Sequence, residues 1–206
     1  MTKLPSPSAD KRALRNQHRE ARRTLSTNTQ QRNARDLARH FFSSTLVLRA
    51  QTFAAYLPND AEIDPTPLLQ RLSAIGKGIQ LPRILRDWRG ERMLLQDYRA
   101  GDPLEVGRFN MPQPTGPLPQ GFRPTPVVLA PLVAYDQRGY RLGMGGGFYD
   151  RYLAQHPDCL CIGLAHSFQE ATAALPTHHW DQPLDAVITE RGWQWFSPPT
   201  RLQENQ

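Results

Sequence analysis

The sequence predicts an α/β fold of three layers: a mostly parallel central sheet flanked by helices, with a basic N-terminal helix ahead of it. Three observations carry that expectation. Short apolar runs of strand length alternate with segments whose apolar residues recur at helical spacing, as in strand–helix–strand units. Pro126-Val-Val-Leu-Ala-Pro-Leu-Val133 is a continuous apolar run, the pattern of a strand buried on both faces, although so short a run does not by itself exclude helix. A glycine-rich turn follows that run and leads into another helical segment. With 206 residues, 39% of them hydrophobic, the chain has the length of one ordinary domain and enough apolar content for a core, which excludes wholesale disorder. A single domain over 1–206 is expected, with 1–9 and 197–206 as flexible tails.

The elements follow in order. Asp10 can cap a helix over 11–25, whose apolar positions Ala13, Leu14, Ala21 and Leu25 are sparse. Ser26 or Thr27 caps a second helix, Thr27 and Gln30 having capping-box spacing; Ala34, Leu37, Ala38, Phe41 and Phe42 form its apolar stripe. Residues 52–56 read as a strand closed by Leu57-Pro-Asn-Asp60. Pro65 opens a helix that Gly76 stops. Residues 79–81 and 93–95 are short strand candidates. Seven prolines within 112–131 make 112–125 an extended loop rather than an element. After the glycine-rich turn come a helix over 149–155, a strand over 159–164 and a last strand over 186–189.

Charge is unevenly placed. Residues 1–39 hold ten Lys/Arg against three Asp/Glu, whereas the remainder holds fifteen against sixteen. A basic segment on a neutral body suits an anion, whether nucleic acid, membrane surface or phosphate-bearing ligand; a solvated helix face is the plainer alternative. No stretch of about 18 apolar residues is present for a membrane-spanning helix, and the N-terminus has no signal-peptide core. Cys159 and Cys161 share one strand face as buried, reduced thiols, so a cytoplasmic protein is expected.

Arg141-Leu-Gly-Met-Gly-Gly-Gly-Phe-Tyr-Asp150 carries the most chemistry. Glycines permit positive φ and remove side chains, so successive backbone N–H groups can converge on an anion, and the helix that follows adds its own N-terminal donors. The stretch has neither the Walker A lysine nor GxGxxG spacing. A plain tight turn is the alternative, but the flanking Arg141 and Asp150 suit a phosphate and a metal ion.

The segment from Ala130 to Leu153 is similar to the signature of the 5-formyltetrahydrofolate cyclo-ligase family (methenyltetrahydrofolate synthetases). Lys11-x-x-Leu14-Arg15, Tyr56-Leu-Pro-Asn-Asp-Ala-Glu62, Phe109-Asn-Met-Pro-Gln-Pro114 and Asp181-x-x-x-Asp185-Ala-Val-Ile-Thr-Glu190 resemble other family segments in the family's order, so the resemblance spans roughly residues 10–190. Where some members carry a lysine, this chain has Gly146.

The resemblance implies an enzyme that cyclises 5-formyltetrahydrofolate to 5,10-methenyltetrahydrofolate at the expense of ATP, with Mg²⁺ as cofactor. It implies that Lys11, Arg15 and Arg141 hold ATP phosphates, with Leu142, Gly143, Met144, Gly145, Gly146, Gly147, Phe148 and Tyr149 as the loop around the nucleotide. The resemblance also implies that Arg141 stabilises charge on the phosphoryl group in transit. Leu57, Glu62, Phe109, Met144 and Phe148 would line the folate pocket; Phe109 and Met144 could equally be core. Asp150 and Asp185 are the implied magnesium ligands, against the alternatives of a first-turn helix acid and a strand-end turn acid. Such phosphoryl chemistry needs positioning and charge neutralisation, not a protein nucleophile, and no Ser-His-Asp spacing suggests one. His178-His-Trp-Asp181 lacks a spaced third ligand for a metal site. The partners implied are ATP and a reduced folate, with no nucleic acid, no membrane and a monomeric chain. Two other readings compete: an ATP-dependent enzyme of this fold acting on another small molecule, and an RNA-binding protein using the basic segment. No aromatic residue falls within 1–39 to stack on RNA bases.

Overall fold

The computed structural model describes residues 7–88, 90–117 and 126–197, without the side chains of residues 7–9 and Phe109. Most of the two expected tails lies outside the described residues.

Two helices lead the chain, α1 (Pro7–Arg23) and α2 (Thr27–Phe42). Asp10 lies in the first turn of α1 rather than capping it. Ser26 is the cap of α2: its extended backbone lets Oγ accept the Thr29 N–H at 3.2 Å. The Gln30 side chain donates instead to the Leu25 carbonyl, so the Thr27–Gln30 box does not form. A short α3 (Leu46–Arg49) precedes β1 (Thr52–Ala54), and α4 (Thr66–Ala74) follows, with Gly76 at φ of 78° just beyond its C-cap Ile75.

The expected short strands at 79–81 and 93–95 are parts of one long hairpin, β2 (Gly78–Asp87) and β3 (Gly90–Tyr98). Pro82 and the arginines of β2 hide its length in the sequence. β1 pairs with β2 only as far as Gln80, so Pro82 has no ladder bond to supply on that side. The 112–125 segment is not all loop: β5 (Pro112–Pro114) pairs with β4 (Leu104–Val106) as a separate two-stranded ribbon, where prolines are tolerated, while 118–125 lie outside the described residues.

Then come β6 (Val127–Pro131), the two-residue strands β7 (Ala134–Tyr135) and β8 (Arg141–Leu142), α5 (Phe148–Gln155) and β9 (Leu160–Leu164). Last are β10 (Ala186–Thr189) and an unexpected β11 (Gly192–Trp195), whose Gly-Trp-Gln-Trp sequence has no apolar run.

The main sheet runs β11-β10-β9-β6-β1-β2-β3. Its five inner strands are mutually parallel, and β3 and β11 close the edges antiparallel. Strand periodicity divides the core. Val127, Leu129, Leu160, Ile162, Ala186 and Ile188 pack with Leu37, Phe41, Leu68 and Leu72 of α2 and α4. Val128, Ala130, Cys161 and Val187 face the other way, onto Tyr152 and Leu153 of α5. Three layers result, and both cysteines are free and buried in the second core. No described helix is long and apolar enough to cross a membrane.

Candidate active site

In open α/β sheets, ligands gather where parallel strands end at their carboxyl termini. After β6 the chain makes the β7–β8 ribbon and the glycine-rich loop over 143–147. Gly145 has φ of 101° and Gly147 φ of 64°, a left-handed conformation that costs most side chains energy. A Cβ on Gly145 would come within 3.5 Å of the Arg15 guanidinium, so α1 lies directly on the loop.

Loop, α1 and hairpin enclose a cleft of about 350 Å³, a size suited to a small molecule. On one wall Arg15 Nε donates to the Gly143 carbonyl at 2.8 Å, and Lys11 Nζ meets Asp181 at 2.9 Å. Arg141, its side chain only 4% exposed, donates through Nη2 to Asp150 Oδ1 at 2.9 Å and through Nη1 to the Gln182 carbonyl. The Gln182 N–H returns to the same Asp150 oxygen at 3.1 Å. Asp150 is thus a first-turn acid of α5 that also borders the cleft.

The opposite wall is apolar, with Pro82, Ile84 and Met93 from the hairpin and Met111 beside them. Glu62 also lines the cleft and accepts the Asn59 N–H at 3.2 Å. Burial pushes its carboxyl up to about 7, against the opposing pull of Arg22. The Tyr149 hydroxyl is buried with no hydrogen-bond partner among the described residues.

The cleft therefore brings together Lys11, Arg15, Glu62, Arg141 and the whole run 142–150. Met144 is exposed there rather than core, and Phe148 is half-buried against the second core. Leu57, half-buried at the exit of β1, does not border the cleft. Phe109 belongs to a 3-10 turn, Arg108–Asn110; its side chain lies outside those described, though its near neighbour Met111 reaches the cleft.

Asp185 does not join Asp150. It is buried at the start of β10, where Oδ2 accepts the Cys161 N–H at 2.8 Å and Oδ1 the Ser197 hydroxyl at 3.0 Å. It lines a second depression with Leu153, His156 and Phe196. Its oxygens are spent on joining β9 to the segment after β11, so it is a poor fit to a magnesium ion. Asp150 fits better: Arg141 and the Gln182 N–H both bond its Oδ1, and its carboxylate borders the loop. Among the described residues no three His, Cys, Asp or Glu side chains cluster for a metal, so Asp150 would depend on ligand oxygens and water for the rest of the shell.

Several cleft residues escape sequence reasoning. Asp181 pairs with Lys11 across 170 positions, and Trp180, 53% exposed and stacked on His178 at 4.6 Å, stands beside it. The signal available was the acid next to two histidines and a tryptophan, but nothing local assigns it to Lys11. The basic segment also divides. Arg19, Arg22 and Arg23 all bind Asp60, so part of the charge that suggested an anionic partner is consumed within the fold.

A sequence model of the 5-formyltetrahydrofolate cyclo-ligase family matches residues 7–190. The 5-formyltetrahydrofolate cyclo-ligase of Escherichia coli K12 is 36% identical over 184 residues, covering 86% of this chain and 99% of that one. The Haemophilus influenzae protein of the same name is 32% identical over 181 residues, covering 85% and 95%. The solution structure of Aquifex aeolicus 5,10-methenyltetrahydrofolate synthetase matches with a TM-score of 0.74 at 30% identity, covering 91% of this chain and 93% of that one. With a family match over most of its length and full-length relatives above 30% identity, the chain belongs to the 5-formyltetrahydrofolate cyclo-ligase family.

Proposed function

We propose that this protein converts 5-formyltetrahydrofolate to 5,10-methenyltetrahydrofolate, consuming ATP and releasing ADP and phosphate. The observation that carries the proposal is a single cleft with two unlike walls. Cations and a glycine loop line part of it; apolar residues of the hairpin line another part, and the buried carboxylate of Glu62 also borders it. The first suits a polyphosphate and the second a flat heterocycle with N–H donors.

The chemistry explains why both are needed in one space. A formyl amide is a weak electrophile, and its oxygen cannot depart as oxide. Transfer of the γ-phosphoryl group to that oxygen leaves ADP and makes the oxygen a phosphate ester. N10 then bonds to the formyl carbon, N10 loses its proton, and the C–O bond breaks to release inorganic phosphate. Lys11, Arg15 and Arg141 hold phosphate oxygens, and the 143–147 backbone offers N–H donors to them. Asp181 holds Lys11 at the cleft until a phosphate competes for it. Glu62, as a carboxylate, accepts hydrogen bonds from the folate's N–H groups, and Met93 and Met144 border the ring. A magnesium ion held by Asp150 would supply neutralisation of phosphate charge.

The test is direct. Protein, Mg-ATP and 5-formyltetrahydrofolate are mixed, and the methenyl product is followed by its ultraviolet absorbance. Steady formation of one methenyl product per ADP is expected. ATP binding without product, or ATP turnover with a different acceptor, would overturn the assignment.

A further inference from the structure

Beneath the cleft lies a cation with no exposed surface. Arg22, on the last turn of α1, is 0% exposed. Its Nη1 donates to the Leu132 carbonyl at 3.2 Å and stands 3.9 Å from Glu62 Oε1, while Nη2 donates to Asp60 at 3.1 Å. One guanidinium thus touches the strand exit bordering the glycine loop, the loop that carries Glu62, and the helix that carries Lys11 and Arg15.

Holding Asp60 does not by itself account for Arg22. Arg19 and Arg23 already bind that carboxylate through Nε, each at 2.6 Å, from more exposed positions. Burying a third guanidinium beside one satisfied acid is costly unless a further negative charge shares it. Glu62, with its side chain 9% exposed, is that charge. Asp60 and Ala61 adopt left-handed φ values of 51° and 56°, a strained path that brings the loop back over Arg22.

We propose that Arg22 is a positioning residue for folate binding: it favours the charged form of the Glu62 carboxyl and holds that group in place at the cleft. The inference rests on the reading of Glu62 as a folate-binding group. The groups facing Glu62 are Arg22 and Arg19 from α1, Asp60 and the Asn59 N–H from its own loop, Tyr56 from the end of β1, and Tyr149 from α5. Arg22 is the strongest of these in favouring the charged form, and burial opposes it. Without Arg22, burial and Asp60 would hold Glu62 protonated at neutral pH. A protonated Glu62 offers the folate one acceptor fewer.

The experiment measures 5-formyltetrahydrofolate affinity of the full-length protein by calorimetry from pH 6 to 9, without ATP. Wild type, Arg22→Met, Arg22→Lys and Glu62→Gln are compared, each checked by circular dichroism, and ATP affinity is measured separately. Wild-type affinity should rise with pH through about 7. Arg22→Met should shift that midpoint up by a unit or more, bind about tenfold more weakly at pH 7, and recover by pH 9. Arg22→Lys, which keeps the charge, should lie between them, and Glu62→Gln should lose the pH dependence. ATP affinity of Arg22→Met should be unchanged. A folded Arg22→Met protein with the wild-type midpoint, or one that loses folate and ATP together at every pH, would show Arg22 to be structural only. Should Arg22→Met fail to fold, Arg22→Gln keeps a donor for Leu132 without the charge and must show the same shift. Wild-type folate affinity in Glu62→Gln would instead dismiss the reading of Glu62 on which the inference stands.

Discussion

Asp150 and Asp185 look alike in the sequence, each an acid at the start of an apolar element that follows a turn. The structure gives them different employment. Asp150 borders the cleft in a chain of Arg141, Asp150 and the Gln182 backbone that a bound ion or phosphate can rearrange. Asp185 sits behind, its oxygens occupied by the Cys161 N–H and the Ser197 hydroxyl. The same contrast separates Glu62 from His166. Glu62 lines the cleft; His166 is fully buried, with Nδ1 3.0 Å from the Asn33 amide. The lesson is that a charged group's chemistry depends less on its own element than on which other backbone uses up its hydrogen bonds.

Exchanging the two aspartates sharpens that contrast most. Asp150→Asn is expected to lower kcat by about a hundredfold or more, since several kcal/mol of transition-state charge stabilisation are at stake, and added Mg²⁺ should restore part of it. Asp185→Asn is expected to leave kcat within about threefold of wild type but to lower the Tm. Two hydrogen bonds to a carboxylate weaken, worth about 1.5–3 kcal/mol each at most, and about 2–4 °C is lost per kcal/mol in a protein this size. Steady-state kinetics across a magnesium series, beside thermal melts, tells the two apart. Equal magnesium rescue of both variants would erase the distinction.

Next in size is Glu62→Gln, which should weaken folate binding about ten- to a hundredfold and spare ATP. Its stability should also respond to pH in a definite direction. Because the folded carboxyl lies near 7, above its usual 4.5, wild type loses stability as pH rises from about 4.5 to 7. The variant escapes that loss, so its Tm should gain on wild type between pH 5 and pH 8. A constant difference would show that burial does not perturb Glu62.

His166 should behave in the opposite sense. Burial lowers its folded value to about 4 from 6.5, so the stability it contributes is complete above 6.5 and is lost as pH falls toward 4. His166→Gln, whatever its cost at pH 7, should melt with a flatter acid limb than wild type. The smallest expected effect among the cleft residues belongs to Lys11→Ala, an increase of about tenfold in the KM for ATP with folate affinity intact. Only one cation, already paired with Asp181, is lost there while Arg15 and Arg141 remain. An unchanged KM would remove Lys11 from the nucleotide wall.

What the sequence determined by itself is what local periodicity and local conformational cost can encode. The continuous apolar runs of β6 and β9, the helical stripe of α2 and the positive-φ glycines of the loop are properties of neighbouring residues, and each lies where the sequence placed it. The run 141–150 was also legible because its arginine, glycines and acid are contiguous. The long hairpin was not: a ladder bond needs a partner strand, and Pro82 and Arg83 are acceptable only because β1 stops short of them. Nor could spacing reveal that Asp181 holds Lys11, that Asp60 takes three arginines, or that Arg22 lies buried beneath Glu62. Those pairings join residues tens to well over a hundred positions apart. They exist because the packing of α1 across the sheet's loop end, which no local preference of α1 encodes, brings Lys11, Arg19 and Arg22 against acids of distant loops.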